Sequence, residues 1–249
     1  MTAPPPPHAR SLPALALITA VFATCFGVLT WQVVVHDVGA RAPHDHGGLL
    51  VVDPWVSGWI IEHRAGPLTA LAYFVSTVGD TLSMTILGTV VCAYLLRTGD
   101  RARATLVAVA GFGAAVIVFG GKRLIGRERP PVADRLTYEP SLSYPSGHAV
   151  ASCVVIAVCA AVFIPRLQRL VARVAAWALA TVFVFAVGWS RVYLGVHWPT
   201  DVLGAWCGGL AWMGVCLVVF RSRPRTPEDT DDRPVAPVDA RRSDAPEHR

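Results

Sequence analysis

The chain has 249 residues, of which 53% are hydrophobic and 16% are charged, and its formal net charge is +5. Soluble domains carry about 25% charged residues. Together with a mean hydropathy of +0.48, this composition excludes an ordinary soluble globular protein and predicts an integral membrane protein. We expect the bilayer as a partner and no nucleic acid; the composition leaves the oligomeric state open.

Stretches without Asp, Glu, Lys or Arg recur along the chain, and a membrane-spanning helix needs about 20 apolar residues. They predict helices near 13–35, 79–97, 104–122, 148–165, 172–190 and 200–220. The segment 65–79 is too short to cross alone and is followed by Asp80, so we interpret it as an interfacial helix that leads into the second span. The predicted fold class is therefore all-α, a six-helix membrane bundle.

The two ends of the chain differ from the predicted membrane domain, residues 12–220. The first span, at about 24 residues, exceeds the 7 to 15 apolar residues of a cleaved signal, so we expect it to be retained after a short N-terminal segment, residues 1–11. Residues 221–249 are rich in Pro, Asp, Glu and Arg and lack the large apolar residues that bury a core. We expect this tail to be disordered.

The cations in the loops predict the orientation, because cytoplasmic loops are richer in Lys and Arg. An even number of spans places both termini on one side. That side collects ten cations: Arg10, Arg97, Arg101, Arg103, Arg166, Arg169, Arg173, Arg221, Arg223 and Arg225. The other side collects eight: Arg41, Arg64, Lys122, Arg123, Arg127, Arg129, Arg135 and Arg191. This small margin predicts a multi-pass plasma membrane protein with cytoplasmic termini.

The residues that commonly bind metals form no convincing site. All six cysteines lie in apolar spans without a C-x-x-C pair and are expected to act as small hydrophobic residues. His44 and His46 are better explained by a flexible polar loop than as metal ligands. We therefore expect no cofactor.

A basic loop follows the third predicted span. Lys122 is the only lysine among the 22 Lys and Arg residues, and Arg129 lies seven residues later, just before Pro130. Two helical turns separate these cations, so they could share one face until the prolines end the helix. Taken alone, the loop could simply rest on anionic lipid headgroups. For Arg127 and Arg135 we expect no role other than this attraction.

Two further motifs open helices. Ser146, Gly147 and His148 follow a proline at the start of the fourth span, where free N–H groups favour an anion. Asp201 lies four residues after His197 at the start of the sixth span, where its carboxylate can reach back to the imidazole. Taken alone, these are also consistent with an ordinary helix start and a simple helix cap.

Two more polar residues, Ser190 and Arg191, lie at the end of the fifth predicted span. Together with the motifs above, they place cations, hydrogen-bond donors and two histidines at one membrane face. This combination predicts a site for a tetrahedral oxyanion beside an activated nucleophile or base.

At these residues the sequence resembles the type 2 phosphatidic acid phosphatases, which share their site with the vanadium-dependent haloperoxidases. The family pattern is K-x6-RP, PSGH and SR-x5-H-x3-D. It stands here as KRLIGRERP at 122–130, PSGH at 145–148 and SRVYLGVHWPTD at 190–201. The resemblance covers about residues 55–220.

The resemblance implies a metal-independent lipid phosphate phosphatase that forms a phosphohistidine. By this analogy His197 attacks phosphorus and His148 protonates the leaving oxygen. Asp201 would orient the His197 ring and balance its charge. The residues implied to bind phosphate are Lys122, Arg129, Ser146, Gly147 and Arg191. The implied substrates are an isoprenyl diphosphate or a phosphatidate-like lipid. Haloperoxidase chemistry and a non-catalytic anion or lipid transporter, which would also gather cations at a membrane face, are the alternatives.

Overall fold

The computed structural model of the protein describes residues 7–38 and 48–222. Its main helices are α1 (Pro7–Val33), α2 (Val52–Glu62), α3 (Gly66–Val78), α4 (Thr81–Arg97), α5 (Arg101–Ile125), α6 (Gly147–Phe163), α7 (Leu170–Tyr193) and α8 (Pro199–Ser222). A π-helical turn, Val34–Val38, extends α1, and short 3-10 helices cover Gly48–Val51, Val132–Asp134 and Ile164–Arg166. The all-α prediction is confirmed. His44, His46 and the predicted tail from residue 223 onward lie outside the described residues.

Five helices in the described ranges are long and apolar enough to cross a membrane. The pair α3 and α4 makes a sixth span if it is counted as one element, with a bend of 42° at the break. Asp80 causes the break, since its side chain accepts a hydrogen bond from the Ser83 amide and caps α4. The predicted separate helix at 65–79 corresponds to α3. Helix α2 was not predicted, because its 11 residues include two acids and are too few to span a bilayer.

Helix α6 is the centre of the bundle and contacts α4, α5, α7 and α8. Its buried residues are small or β-branched, which lets the neighbouring helices approach closely. Helix α1 packs along α8, where a Cβ added at Gly214 would lie 2.2 Å from the Thr19 hydroxyl oxygen. The outward side chains of α7, including Leu170, Val171 and Leu179, are exposed and apolar, as a lipid-facing surface requires.

Candidate active site

Four helix ends meet at one end of the bundle. Helices α5 and α7 end there, and α6 and α8 begin there. Backbone hydrogen bonds join the loops: the Ser146 amide donates to the Asp201 carbonyl (3.3 Å), and the Leu136 amide donates to the Leu194 carbonyl (2.9 Å). The fold therefore brings the three motifs to one place.

Lys122 and Arg129 converge by a route that the sequence did not indicate. Helix α5 ends at Ile125, because Gly126 has a φ of 76°, so the two cations do not share one helical face. Instead Lys122 Nζ donates to Ser141 Oγ (3.0 Å), and Arg129 Nη2 donates to the same oxygen (3.1 Å). Arg129 is 6% exposed. Burial lowers the pKa of Arg129 to about 10, so it remains a cation at neutral pH.

The geometry around His197 defines its tautomer. Its Nε2 lies 3.1 Å from Arg129 Nη1, and its Nδ1 lies 3.3 Å from Asp201 Oδ2. Because a guanidinium can only donate, Nε2 is the acceptor and the proton lies on Nδ1. The Asp201 carboxylate is held in turn by the Trp198 amide (2.9 Å) and the Ser143 hydroxyl. The Nε2 lone pair therefore faces the cations while the carboxylate backs the ring.

His197 is neutral at neutral pH. Its side chain is 1% exposed, and burial lowers its pKa well below 6.5, with the Arg129 charge acting in the same direction and Asp201 opposing. A neutral imidazole with an unprotonated Nε2 is the reactive form of a histidine nucleophile, and here that nitrogen accepts from Arg129 until an anion takes its place.

Arg191, at the end of α7, is 2% exposed. It donates through Nη1 to Ser76 Oγ (2.6 Å) and through Nη2 to the Glu139 carboxylate. Its Nε is buried and has no hydrogen-bond partner among the residues that the structure describes. Glu139 also lies 3.8 Å from Arg129 Nη2, so a carboxylate sits between the two arginines predicted to bind phosphate. An anion is therefore accommodated at this point of the structure.

The start of α6 supplies unpaired donors. Ser146 is 0% exposed, and within residues 7–38 and 48–222 its hydroxyl has no hydrogen-bond partner. Gly147 is the first residue of α6, and a Cβ there would lie 3.4 Å from Val118 Cγ1. His148 is half-buried in the first helical turn. A buried hydroxyl and a free helix N-terminus beside cations favour an oxyanion.

Arg127 contradicts the interpretation that it attracts lipid headgroups. It is 0% exposed and is paired with three carboxylates: Asp201 (2.6 Å), Asp53 (2.7 Å) and Asp37. Burial disfavours its charge, but these carboxylates outweigh the burial and raise the pKa of Arg127. Arg135 donates to the Pro130 carbonyl (2.7 Å) and so fastens the loop.

Sequence reasoning missed Ser76, Ser143, Glu139, Asp53 and the role of Arg127. Two of them carried a signal. Glu139 is the single charged residue between 136 and 165, and Asp53 interrupts an apolar stretch just before a proline. An isolated acid in such surroundings is expensive unless it is paired or functional.

A cavity of about 210 Å³ opens beside these groups and is lined by Glu128, Arg129, Arg135, Glu139, Pro140, Ser141 and Leu142. Within residues 7–38 and 48–222, no group of three or more His, Cys, Asp or Glu residues could hold a metal ion.

Comparison with known proteins shows that the chain is similar to proteins named as phosphatases. Phosphatidylglycerophosphatase B of Bacillus subtilis (strain 168) is 42% identical over 106 residues, which are 38% of this chain and 51% of that protein. An undecaprenyl-diphosphatase of Sulfolobus acidocaldarius is 35% identical over 80 residues, 32% of this chain and 34% of that protein. The chain thus spans about half, or less, of the length of these relatives.

A solved structure shares the fold. The transmembrane PAP2 type phosphatidylglycerolphosphate phosphatase from Bacillus subtilis superposes with a TM-score of 0.67 at 24% identity, over 80% of this chain and 94% of that chain. A family model described as the PAP2 superfamily matches residues 101–225, which include all three motifs. The chain therefore belongs to the PAP2 superfamily.

Proposed function

We propose that this protein is a lipid phosphatase that hydrolyses a phosphate or diphosphate headgroup through a phosphohistidine. The observation that carries the proposal is the placement of His197, whose Nε2 faces Arg129 while Asp201 accepts from Nδ1. A neutral ring held in this tautomer presents its lone pair to whatever anion the cations bind.

The reaction proceeds in two displacements. His197 Nε2 forms a bond to phosphorus as the bond from phosphorus to the leaving oxygen breaks, and His148 gives that oxygen a proton. His148 then accepts a proton from water, whose oxygen attacks the phosphohistidine and releases phosphate and the free imidazole. Asp201 balances the positive charge that the ring carries while it is phosphorylated.

The surrounding donors stabilise the transition state. The unpaired Arg191 Nε and Ser146 Oγ are buried, so they act in a site of low dielectric where each hydrogen bond to the phosphoryl oxygens is strong. Arg129, Lys122 and the Gly147 amide complete the set of donors. The substrate phosphate would displace the Glu139 carboxylate from the arginines.

We propose a lipid with an isoprenyl or acyl tail as substrate. The site lies at one end of an apolar bundle, where a tail can stay in the bilayer while the headgroup reaches the cations. The names of the relatives, a phosphatidylglycerophosphatase and an undecaprenyl-diphosphatase, support this class. We place the site on the extracytoplasmic face of the plasma membrane, with both termini in the cytoplasm.

The two histidines provide the test of the mechanism. The purified protein is assayed on a lipid monophosphate and on p-nitrophenyl phosphate, whose phenolate leaves without a proton. His197→Ala should abolish both activities, whereas His148→Ala should lose the lipid activity and keep part of the aryl activity. His63→Ala, at an exposed position after α2, is the control. No turnover by the wild type on any lipid phosphate would favour a transporter, and equal losses in both variants would refute the assigned roles.

The orientation has its own test. Val132 is 75% exposed in the loop beside the site, and Arg101 begins α5 at the opposite end of the bundle. In intact cells Val132→Cys should react with an impermeant thiol reagent and Arg101→Cys should not, relative to the parent chain. The reverse labelling would place the site in the cytoplasm.

A further inference from the structure

The buried guanidinium of Arg127 joins three separate parts of the chain. Its Nη1 donates to Asp201 Oδ1 (2.6 Å) on α8, its Nη2 donates to Asp53 Oδ2 (2.7 Å) on α2, and its Nε donates to Asp37 beyond α1. Residues 37 and 53 lie outside the region that the family model matches, 101–225. The network therefore connects residues outside the family-model match to the carboxylate behind His197.

Asp53 also binds the first turn of α8. Its Oδ1 accepts from the Thr200 amide (2.9 Å), and its Oδ2 accepts from the Thr200 hydroxyl (2.5 Å). Arg127 Nη1 donates to the same hydroxyl oxygen (2.8 Å). Asp53 thus caps α8 from another helix and fixes the turn that carries Asp201.

The charges of this cluster are unequal. One guanidinium faces three carboxylates, and all four groups are nearly or fully buried, at 0% side-chain exposure except for 8% at Asp37. If Arg127 were paired with Asp201 alone, the pair would be neutral toward His197. Because Asp53 and Asp37 share the guanidinium with Asp201, the cluster as a whole keeps a net negative charge, which balances the imidazole as it becomes phosphorylated.

We propose that Arg127, together with Asp53 and Asp37, is a positioning group for the nucleophile. Arg127 holds Asp201 in the orientation that fixes the Nδ1 proton of His197, and the two other carboxylates leave the cluster with a net negative charge beside the imidazole. This inference rests on the proposed function, because it assigns a role in forming the phosphohistidine.

Two inhibitors separate positioning from a general structural role. Vanadate takes up a five-coordinate geometry that includes the nucleophile and so resembles the transition state, whereas inorganic phosphate binds as a tetrahedral anion to the cations alone. A displaced His197 should weaken vanadate binding and leave phosphate binding unchanged. The measurements are kcat, KM and the inhibition constants for vanadate and phosphate, on the full-length protein in detergent.

The variants are Arg127→Lys, which keeps the charge but loses the fork of donors, and Asp53→Asn. The control for Arg127→Lys is Arg123→Lys, at an exposed position in the last turn of α5. The control for Asp53→Asn is Glu62→Gln, at an exposed position on α2, the helix that carries Asp53. We expect kcat to fall on the order of 10²-fold for Arg127→Lys and about tenfold for Asp53→Asn. The vanadate constant should rise in proportion, while KM and the phosphate constant stay within about twofold and the controls match the wild type.

Each outcome decides the inference. Unchanged kcat and vanadate inhibition in both variants would overturn it, and so would a parallel loss of vanadate and phosphate binding, which would indicate general distortion of the site. If Arg127→Lys does not fold, Asp53→Asn and Asp37→Asn carry the same test with the arginine intact. An inactive wild type would instead refute the proposed function.

Discussion

Replacement of Arg191 by lysine tests the electrostatic part of the mechanism. The guanidinium uses two nitrogens to reach Ser76 (2.6 Å) and Glu139, and its third nitrogen, Nε, is buried and unpaired. An ammonium carries all its donors on one nitrogen and cannot reproduce a planar fork whose three nitrogens lie at separate positions. Lysine at this position must therefore give up either its anchors or its bond to the phosphoryl group.

The size of the effect follows from burial. Arg191 is 2% exposed, so water cannot replace the lost donor. Removal of one donor to a transition-state oxyanion costs roughly 2.7 to 4 kcal/mol. At about 1.36 kcal/mol for each factor of ten, this corresponds to a loss of about 10² to 10³ in kcat.

The assay compares kcat and KM of Arg191→Lys with those of the wild type on a lipid monophosphate and on p-nitrophenyl phosphate. Both substrates carry the same phosphoryl group, so both should lose turnover by similar factors. Arg123→Lys, at an exposed position near the end of α5, is the matched control and should retain full activity. Turnover of Arg191→Lys within about threefold of the wild type would show that Arg191 does not contact the transition state, because a lost donor costs far more.

Three more predictions concern acid, metal and the backbone. Burial lowers the pKa of His197 below 6.5, so the nucleophile stays unprotonated as the pH falls through 6.5. The decline of kcat/KM toward acid pH should therefore have its midpoint below 6.5. A midpoint above 6.5 would contradict a neutral buried ring. Activity should survive excess EDTA, because the described residues offer no cluster of metal ligands, and it should fall with vanadate, which resembles the five-coordinate transition state. Loss in EDTA that Mg²⁺ restores would refute a metal-independent reaction. Gly195 has a φ of +71°, and a Cβ there would lie 2.3 Å from the Asp134 carbonyl oxygen, so Gly195→Ala should lower the midpoint of thermal unfolding by several degrees. Gly27→Ala should leave the midpoint unchanged, because no atom of the described part of the chain lies within 4 Å of a Cβ there. Equal midpoints for the two variants would show that the turn at Gly195 adapts.

Much of the molecule was determined by local sequence. Apolar stretches of about 20 residues define spanning helices, since a bilayer leaves the backbone no other partner than itself. The contact between His197 and Asp201 was also predictable, because a carboxylate in the first turn of α8 can reach back to a ring just before the helix. The spacing of the three motifs was sufficient to identify the family.

Only the tertiary structure decided which charges are buried and what pairs with them. From sequence Arg127 is indistinguishable from its exposed neighbour Arg123, yet it is 0% exposed because Asp37, Asp53 and Asp201 surround it. Ser76 and Glu139 acquire their contacts with Arg191 in the same way, from distant elements. The energy of a buried ion pair depends on the distance between its charges and on the exclusion of water, and packing of helices far apart in the chain sets both.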